Sequence, residues 1–193
     1  MSSLISPDLR VAYIGAGLAD LAHSLGGAVV EDLSNADAAI FAVSALAGID
    51  ANGQARWAQA RELYIPSLVV VTDLAASEID FDDMAAIAGK TLDPVVTPFL
   101  VLHDDAGAPA ALIDLDTLKN ITFAGGVRTI SESDPEHKLL VFEFRKEYLE
   151  ALDAAGEEAF AAALLFPAIP YIPAIGLGAE EIAGYLRELT PTN

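Results

Sequence analysis

A chain of 193 residues suits one domain with room for a small subdomain, and it can bury a sizeable core. Its hydrophobic content of 53% excludes a disordered chain, because enough apolar surface exists to offset the entropy of ordering. Acidic residues number 29 against 10 basic ones, and the resulting formal charge of −19 repels phosphate backbones and anionic membrane surfaces, so neither direct nucleic-acid binding nor membrane binding is expected.

The lack of cysteine excludes disulfides, thiol nucleophiles and thiolate metal sites, which makes the cytoplasm the expected compartment. Asp8 and Arg10 directly precede a short apolar run, unlike the basic-then-apolar order of a signal peptide. Residues 159–179 carry no charge and are long enough to span a bilayer, but Pro167, Pro170 and Pro173 would break a continuous helix there.

In chain order, residues 11–14 form an apolar run ending in Gly15-Ala16-Gly17, and residues 18–25 show helical spacing before Gly26-Gly27. A short strand is expected at 28–30 and a polar turn at 32–35. Residues 38–43 and 68–71 read as strands covered on both faces, with an amphipathic helix at 53–63 between them whose inner face holds Trp57 and Ala60. Asp80, followed by Asp83, predicts an N-cap and an acidic first turn for a helix to about Ala88. From Pro94 the pattern becomes hairpin-like, with strands at 95–102 and 110–113 around the turn 104–107. Helices are expected at 142–154 and 157–166, then a strand near 169–175 and a helix at 179–189. The alternation predicts an α/β fold with a mostly parallel sheet and right-handed crossovers.

Particular residues point further. Residues 36–75 contain Asp37-Ala-Ala-Ile-Phe-Ala-Val43, Ala47-Gly-Ile-Asp50, Gln54-Ala-Arg-Trp57-Ala-Gln59-Ala-Arg-Glu-Leu63 and Ile65-Pro-Ser-Leu-Val-Val-Val-Thr72-Asp-Leu-Ala75. This stretch resembles the G domain of translational GTPases of the elongation factor G type: its buried strand, its helix with a central tryptophan, and its next strand. Leu112-Ile-Asp-Leu-Asp-Thr-Leu-Lys-Asn-Ile-Thr-Phe123 is similar to that family's insert subdomain, Phe144-Arg-Lys-Glu-Tyr-Leu-Glu-Ala151 to one of its helices, and residues 178–191 to its last helix. The resemblance implies a three-layer P-loop-NTPase-like sheet with a small α+β insert: a single degenerate G domain, core 1–93 and 167–193, insert 94–166.

The nucleotide-binding side chains do not accompany that frame. A P-loop wraps phosphates with backbone N–H groups and supplies a lysine and a magnesium-binding hydroxyl. The matching positions are Ala16-Gly17-Leu18-Ala19-Asp20, so the lysine is Leu18, the hydroxyl is Ala19, and Asp20 adds an anion. In a dry site that inversion costs several kcal/mol. Only residues 28–35 separate the first helix from the Asp37 strand, which leaves no room for the family's switch segments and DTPGH motif. Thr72-Asp73-Leu74-Ala75 stands where the family has NKxD, and Ile175-Gly176 where it has SA. Gly15, Gly17, Leu18, Asp20, Thr72 and Asp73 therefore outline a vestigial nucleotide site.

An opposing reading takes Gly15-Ala16-Gly17 as the start of a dinucleotide fingerprint, with Glu31 as the ribose-binding acid. The third glycine is Asp20, and Glu31 comes too early. His23, His103 and His137 lack partners at ligand spacing, Asp114-x-Asp116 and Asp80/Asp82/Asp83 read as solvated acidic turns, and Ser44 lacks the glycines of a nucleophile elbow. No cofactor, metal or catalytic pair is expected.

The resemblance thus implies a module that has lost GTP hydrolysis and GTP binding and works by protein contact or regulation, as a candidate ribosome-associated component. It ends at the family's junction with a β-barrel domain, so surface covered in the family is expected to be exposed here and to support self-association. The alternative is a small-molecule or dinucleotide-binding α/β protein using the Gly15-Ala16-Gly17 turn.

Overall fold

The computed structural model describes residues 3–191. Five strands, Arg10–Ile14 (β1), Ala28–Val30 (β2), Ala38–Ser44 (β3), Ser67–Thr72 (β4) and a last one, Ala168–Pro170, form an all-parallel sheet in the order β2-β1-β3-β4-last. Helices Ala19–Leu25 (α1), Ala51–Glu62 (α2) and Phe81–Thr91 (α3) supply the crossovers. This is the doubly wound 2-1-3-4-5 order, which opens a crevice at the carboxyl ends of β1 and β3.

The strands bury both faces, as their continuous apolar runs predict: all six residues of β4 are buried. Alternation then sorts the side chains. Val11, Ile40, Leu68 and Val70 join one apolar cluster with Leu21 and Leu25 of α1, while Ala12, Phe41, Val69 and Val71 join the other with Trp57 and Ala60 of α2 and Met84 of α3. Trp57 sits edge-on to Phe41 and Phe166, with ring centroids 4.9 and 5.3 Å away, and its indole N–H donates to Asp93 at 2.7 Å. At the opposite end of the sheet from the crevice, buried Asp37 accepts from Arg10 at its backbone N–H (2.9 Å), Nε (3.1 Å) and Nη2 (2.7 Å), which ties the starts of β1 and β3 together.

A second, antiparallel sheet holds Phe99–His103 (β5), Pro109–Asp114 (β6), Lys119–Thr122 (β7) and Thr129–Glu132 (β8), in chain order. The expected hairpin is present around residues 104–107, but β5 starts only at Phe99, because Val96 bridges Pro167 beside the parallel sheet. The strands β7 and β8 and a helix at Pro135–Leu140 (α4) have no counterpart in the sequence expectation. Phe142–Ala155 (α5) matches it closely, and the chain then returns through Ala168–Pro170 (β9) to the final helix Ala179–Arg187 (α6).

This second sheet has no core of its own. Leu112, Ile113, Leu115, Ile121 and Phe123 belong to the same cluster as Phe41, Trp57 and Met84. The parallel sheet is thereby covered by α1 and α6 on one face, and by α2, α3 and the inner face of the second sheet on the other.

Three expectations need correction. Residues 157–163 are a run of turns and not a helix, because Glu158 and Ala163 adopt left-handed backbone (φ 59° and 57°) and break the i to i−4 ladder. The strand expected to run to residue 175 ends at Pro170, and Pro173–Ile175 form a 3-10 turn, since prolines remove the donors a longer ladder needs. Asp80 occupies the N-cap of α3 with extended backbone but makes no capping bond; its carboxylate lies 3.7 Å from His103 Nε2. No helix among the described residues is long and apolar enough to cross a membrane.

Candidate functional site

The crevice at the strand ends is built by three turns. After β1, Gly15 and Gly17 take φ of 101° and 82°, and the exposed Gly15-Ala16-Gly17 segment leads into α1. A Cβ on Gly15 would lie 2.8 Å from Ala42 Cβ and 3.3 Å from Ala42 O, so only glycine lets the turn close onto β3. Chain packing thus accounts for that glycine without any phosphate. A Cβ on Gly17 would stand 3.8 Å from Thr72 Cγ2, so the β1 turn and the end of β4 are neighbours.

The side chains at these positions turn away from ligand chemistry. Leu18, which the sequence resemblance sets at the place of a P-loop lysine, is 3% exposed and packs with Leu21 and Leu25 in the α1–α6 core. The helix that follows has seven residues and carries Asp20 in its first turn, where the macrodipole attracts an anion and the carboxylate already supplies one. Thr72 is buried, while exposed Asp73 adopts φ 61° and accepts hydrogen bonds from Ser44 Oγ at 2.6 Å and Thr72 Oγ1 at 3.3 Å.

Ser44 is the residue the sequence reading passed over as chemistry of the wrong kind. Its hydroxyl donates to Asp73 and accepts from the backbone N–H groups of Leu46 (3.2 Å) and Ala47 (3.0 Å), so it staples the β3 and β4 ends to each other. A serine ending a strand before a short Gly-containing turn carries that signal locally. Beside the staple, a cavity of about 290 Å³ is bounded by Leu74, Ser77, Asp80, Phe81, Val101 and His103.

The other acidic and imidazole candidates stay apart. Asp114 accepts from Asp116 N (2.9 Å) and from Thr117 N and Oγ1 (3.3 and 2.9 Å), a self-satisfied turn. Among the described residues, no group of three or more histidine, aspartate or glutamate side chains is gathered as a metal site would require.

Elsewhere the molecule holds titratable groups that no local motif announces. At the seam of β7, β8 and α6, Arg128 Nε donates to Glu181 at 2.9 Å, with the Glu181 side chain wholly buried. The Tyr148 and Tyr185 hydroxyls are hydrogen-bonded to each other, and burial pushes both phenols above the ordinary value of 10. Burial also raises the Glu188 carboxyl.

Fold and crevice together define an α/β protein with a five-stranded parallel sheet and a separate four-stranded antiparallel sheet. The architecture is similar to the crystal structure of ttk003000868 from Thermus thermophilus, with a TM-score of 0.80 and 22% identity over 95% of this chain. This chain spans 40% of the length of that protein. No protein-family model matches the chain, and no curated protein matches it.

Proposed function

We propose that this chain is a degenerate G domain of the elongation factor G type that binds and hydrolyses no GTP and acts by protein contact. The observation that carries the reading is Leu18: the position that should present a cation to phosphates is instead a core residue, 3% exposed. One feature supports the ancestry: the strands β1, β3, β4 and β9, which the resemblance aligns with strands of the family, lie side by side in that order. The carboxylates of Asp20 and Asp73, at positions the resemblance aligns with nucleotide-binding motifs, support the loss of nucleotide binding.

A protein-contact role draws support from the antiparallel sheet and its helices, where Val127, Ile130, Leu139, Leu140 and Phe142 are each more than half exposed. The charge of −19 favours a basic protein partner or a second copy over nucleic acid. Titration with GTP, GDP and magnesium should give no saturable signal by calorimetry; micromolar binding of either nucleotide refutes the reading. Light scattering on the eluting protein then separates self-association from a monomer awaiting another partner.

A small-molecule role at the Gly15-Ala16-Gly17 turn is the second reading, supported by the exposure of that turn at the β1/β3 switch point. A thermal-shift panel of NAD(H), FAD, ATP and common metabolites distinguishes the two, because a ligand of the folded state raises Tm by mass action.

A further inference from the structure

The antiparallel sheet ends on β8, and no other strand among the described residues pairs with its outer edge. All four residues of Thr129–Glu132 are exposed, so alternate N–H and C=O groups along that edge point away from β7 with no partner strand. Natural sheets blunt such an edge with lysine, proline or a bulge. Residues 127–133 contain no lysine or proline, and the register from Thr122↔Thr129 to Lys119↔Glu132 runs without a bulge.

The edge is apolar as well as open. Val127 and Ile130 are 65% and 52% exposed, and Ile130 borders a cavity of about 510 Å³ between this sheet and α6, so its own chain does not cover it.

The sequence around Ile130 complements itself. In an antiparallel pair of two copies centred on Ile130, that residue faces its own equivalent, Thr129 faces Ser131, and Arg128 faces Glu132; two-fold symmetry makes the ion pair twice. A shift of one residue sets Glu132 against Thr129 or Val127 and loses both pairs. The charged groups are available: Arg128 gives Nε to Glu181 at 2.9 Å and keeps two Nη groups for another carboxylate, while the Glu132 side chain is 77% exposed with Lys138 Nζ at 3.9 Å. Two chains of charge −19 repel each other, but within residues 127–133 Arg128 offsets Glu132, so this edge lets copies approach at low electrostatic cost. We infer that β8 pairs with β8 of a second copy, centred on Ile130, and joins two four-stranded sheets into one continuous sheet. The inference rests on the protein-contact part of the proposed function and names its partner and its surface.

Sedimentation velocity of the full chain from micromolar to millimolar concentration, at about 0.15 M salt to screen long-range repulsion, should show a concentration-dependent dimer. Ile130→Lys sets two ammonium groups face to face and should leave the chain monomeric over that range while folded by circular dichroism. Glu132→Arg turns both ion pairs into repulsions and should weaken the dimer by about tenfold or more. Because the chain has no cysteine, cross-linking reads the register: Ile130→Cys should form a disulfide-linked dimer in oxidised glutathione, since facing Cα atoms lie within disulfide reach, whereas Thr129→Cys, which faces Ser131 of the second copy, should not. A chain monomeric into the millimolar range, a dimer unchanged by Ile130→Lys, or cross-linking of Thr129→Cys in preference to Ile130→Cys each overturns the assignment. A monomer whose β8 amide resonances shift only with added oligolysine gives the edge to a basic partner and overturns it too. GTP binding by a β8-linked dimer would refute the degenerate-domain reading and leave this interface standing; a monomer that binds no GTP would do the reverse.

Discussion

The strand-end crevice and the α6 seam invert what each advertises in the sequence. The crevice carries the glycine turn that the sequence singles out, yet Leu18 beside it is packed inward and its two strand ends are stapled by the Ser44–Asp73 hydrogen bond. At the seam no local motif is present, yet beside an open cavity the wholly buried Glu181 keeps one carboxylate oxygen without a donor. Side chains at the crevice satisfy one another, whereas the seam keeps a buried polar atom without a partner.

Substitutions on both sides can break that contrast. The largest effect is expected at the crevice: Leu18→Lys places a charge in the α1–α6 core, and should cost roughly 2–4 kcal/mol in urea unfolding without conferring GTP binding. A variant as stable as the parent would show that the turn is open to solvent and would erase the distinction. Ser44→Ala removes a donor to Asp73 and an acceptor for two backbone N–H groups, for a loss of about 1 kcal/mol; an unchanged denaturation midpoint would mean that the staple holds nothing together.

At the seam the sign reverses. Gly184→Ala should stabilise the chain by about 0.5–1 kcal/mol, visible as a higher Tm, since the added methyl enters open space on a helix. Destabilisation would instead mean that the helix needs glycine there for packing. The smallest effect concerns Glu188, whose carboxyl is raised above its ordinary value of 4.5 by burial. A raised acid contributes stability that is present below the unfolded pKa and lost as pH rises through the folded one. Glu188→Gln is therefore expected to melt slightly higher than the parent near pH 7 and to converge with it at about pH 4, where the parent is protonated too. A difference that persists or grows in acid contradicts that sign.

The sequence by itself determined the α/β class, the four principal parallel strands and the helices flanking them, because continuous apolar runs and 3.6-residue spacing are local records of burial. It also set Trp57 and Ala60 inward. It did not disclose β7, β8 or α4: every residue of β8 is exposed, and α4 has six residues with none buried, so neither carries a periodic apolar signal. The turns at 157–163 were equally hidden, since alanine-rich sequence favours a helix until left-handed backbone at Glu158 and Ala163 interrupts it.

What only the tertiary structure decided was contact across distance. Leu18 could have faced solvent or core, and packing against Leu21 and Leu25 turned it inward. Arg128 and Glu181 are separated by 53 positions, and their pairing exists only because the second sheet shares its core with the first and is held against α6. Periodicity encodes which face of an element is buried; it carries no information about which distant element will cover that face, and the seam cavity is made entirely by that second choice.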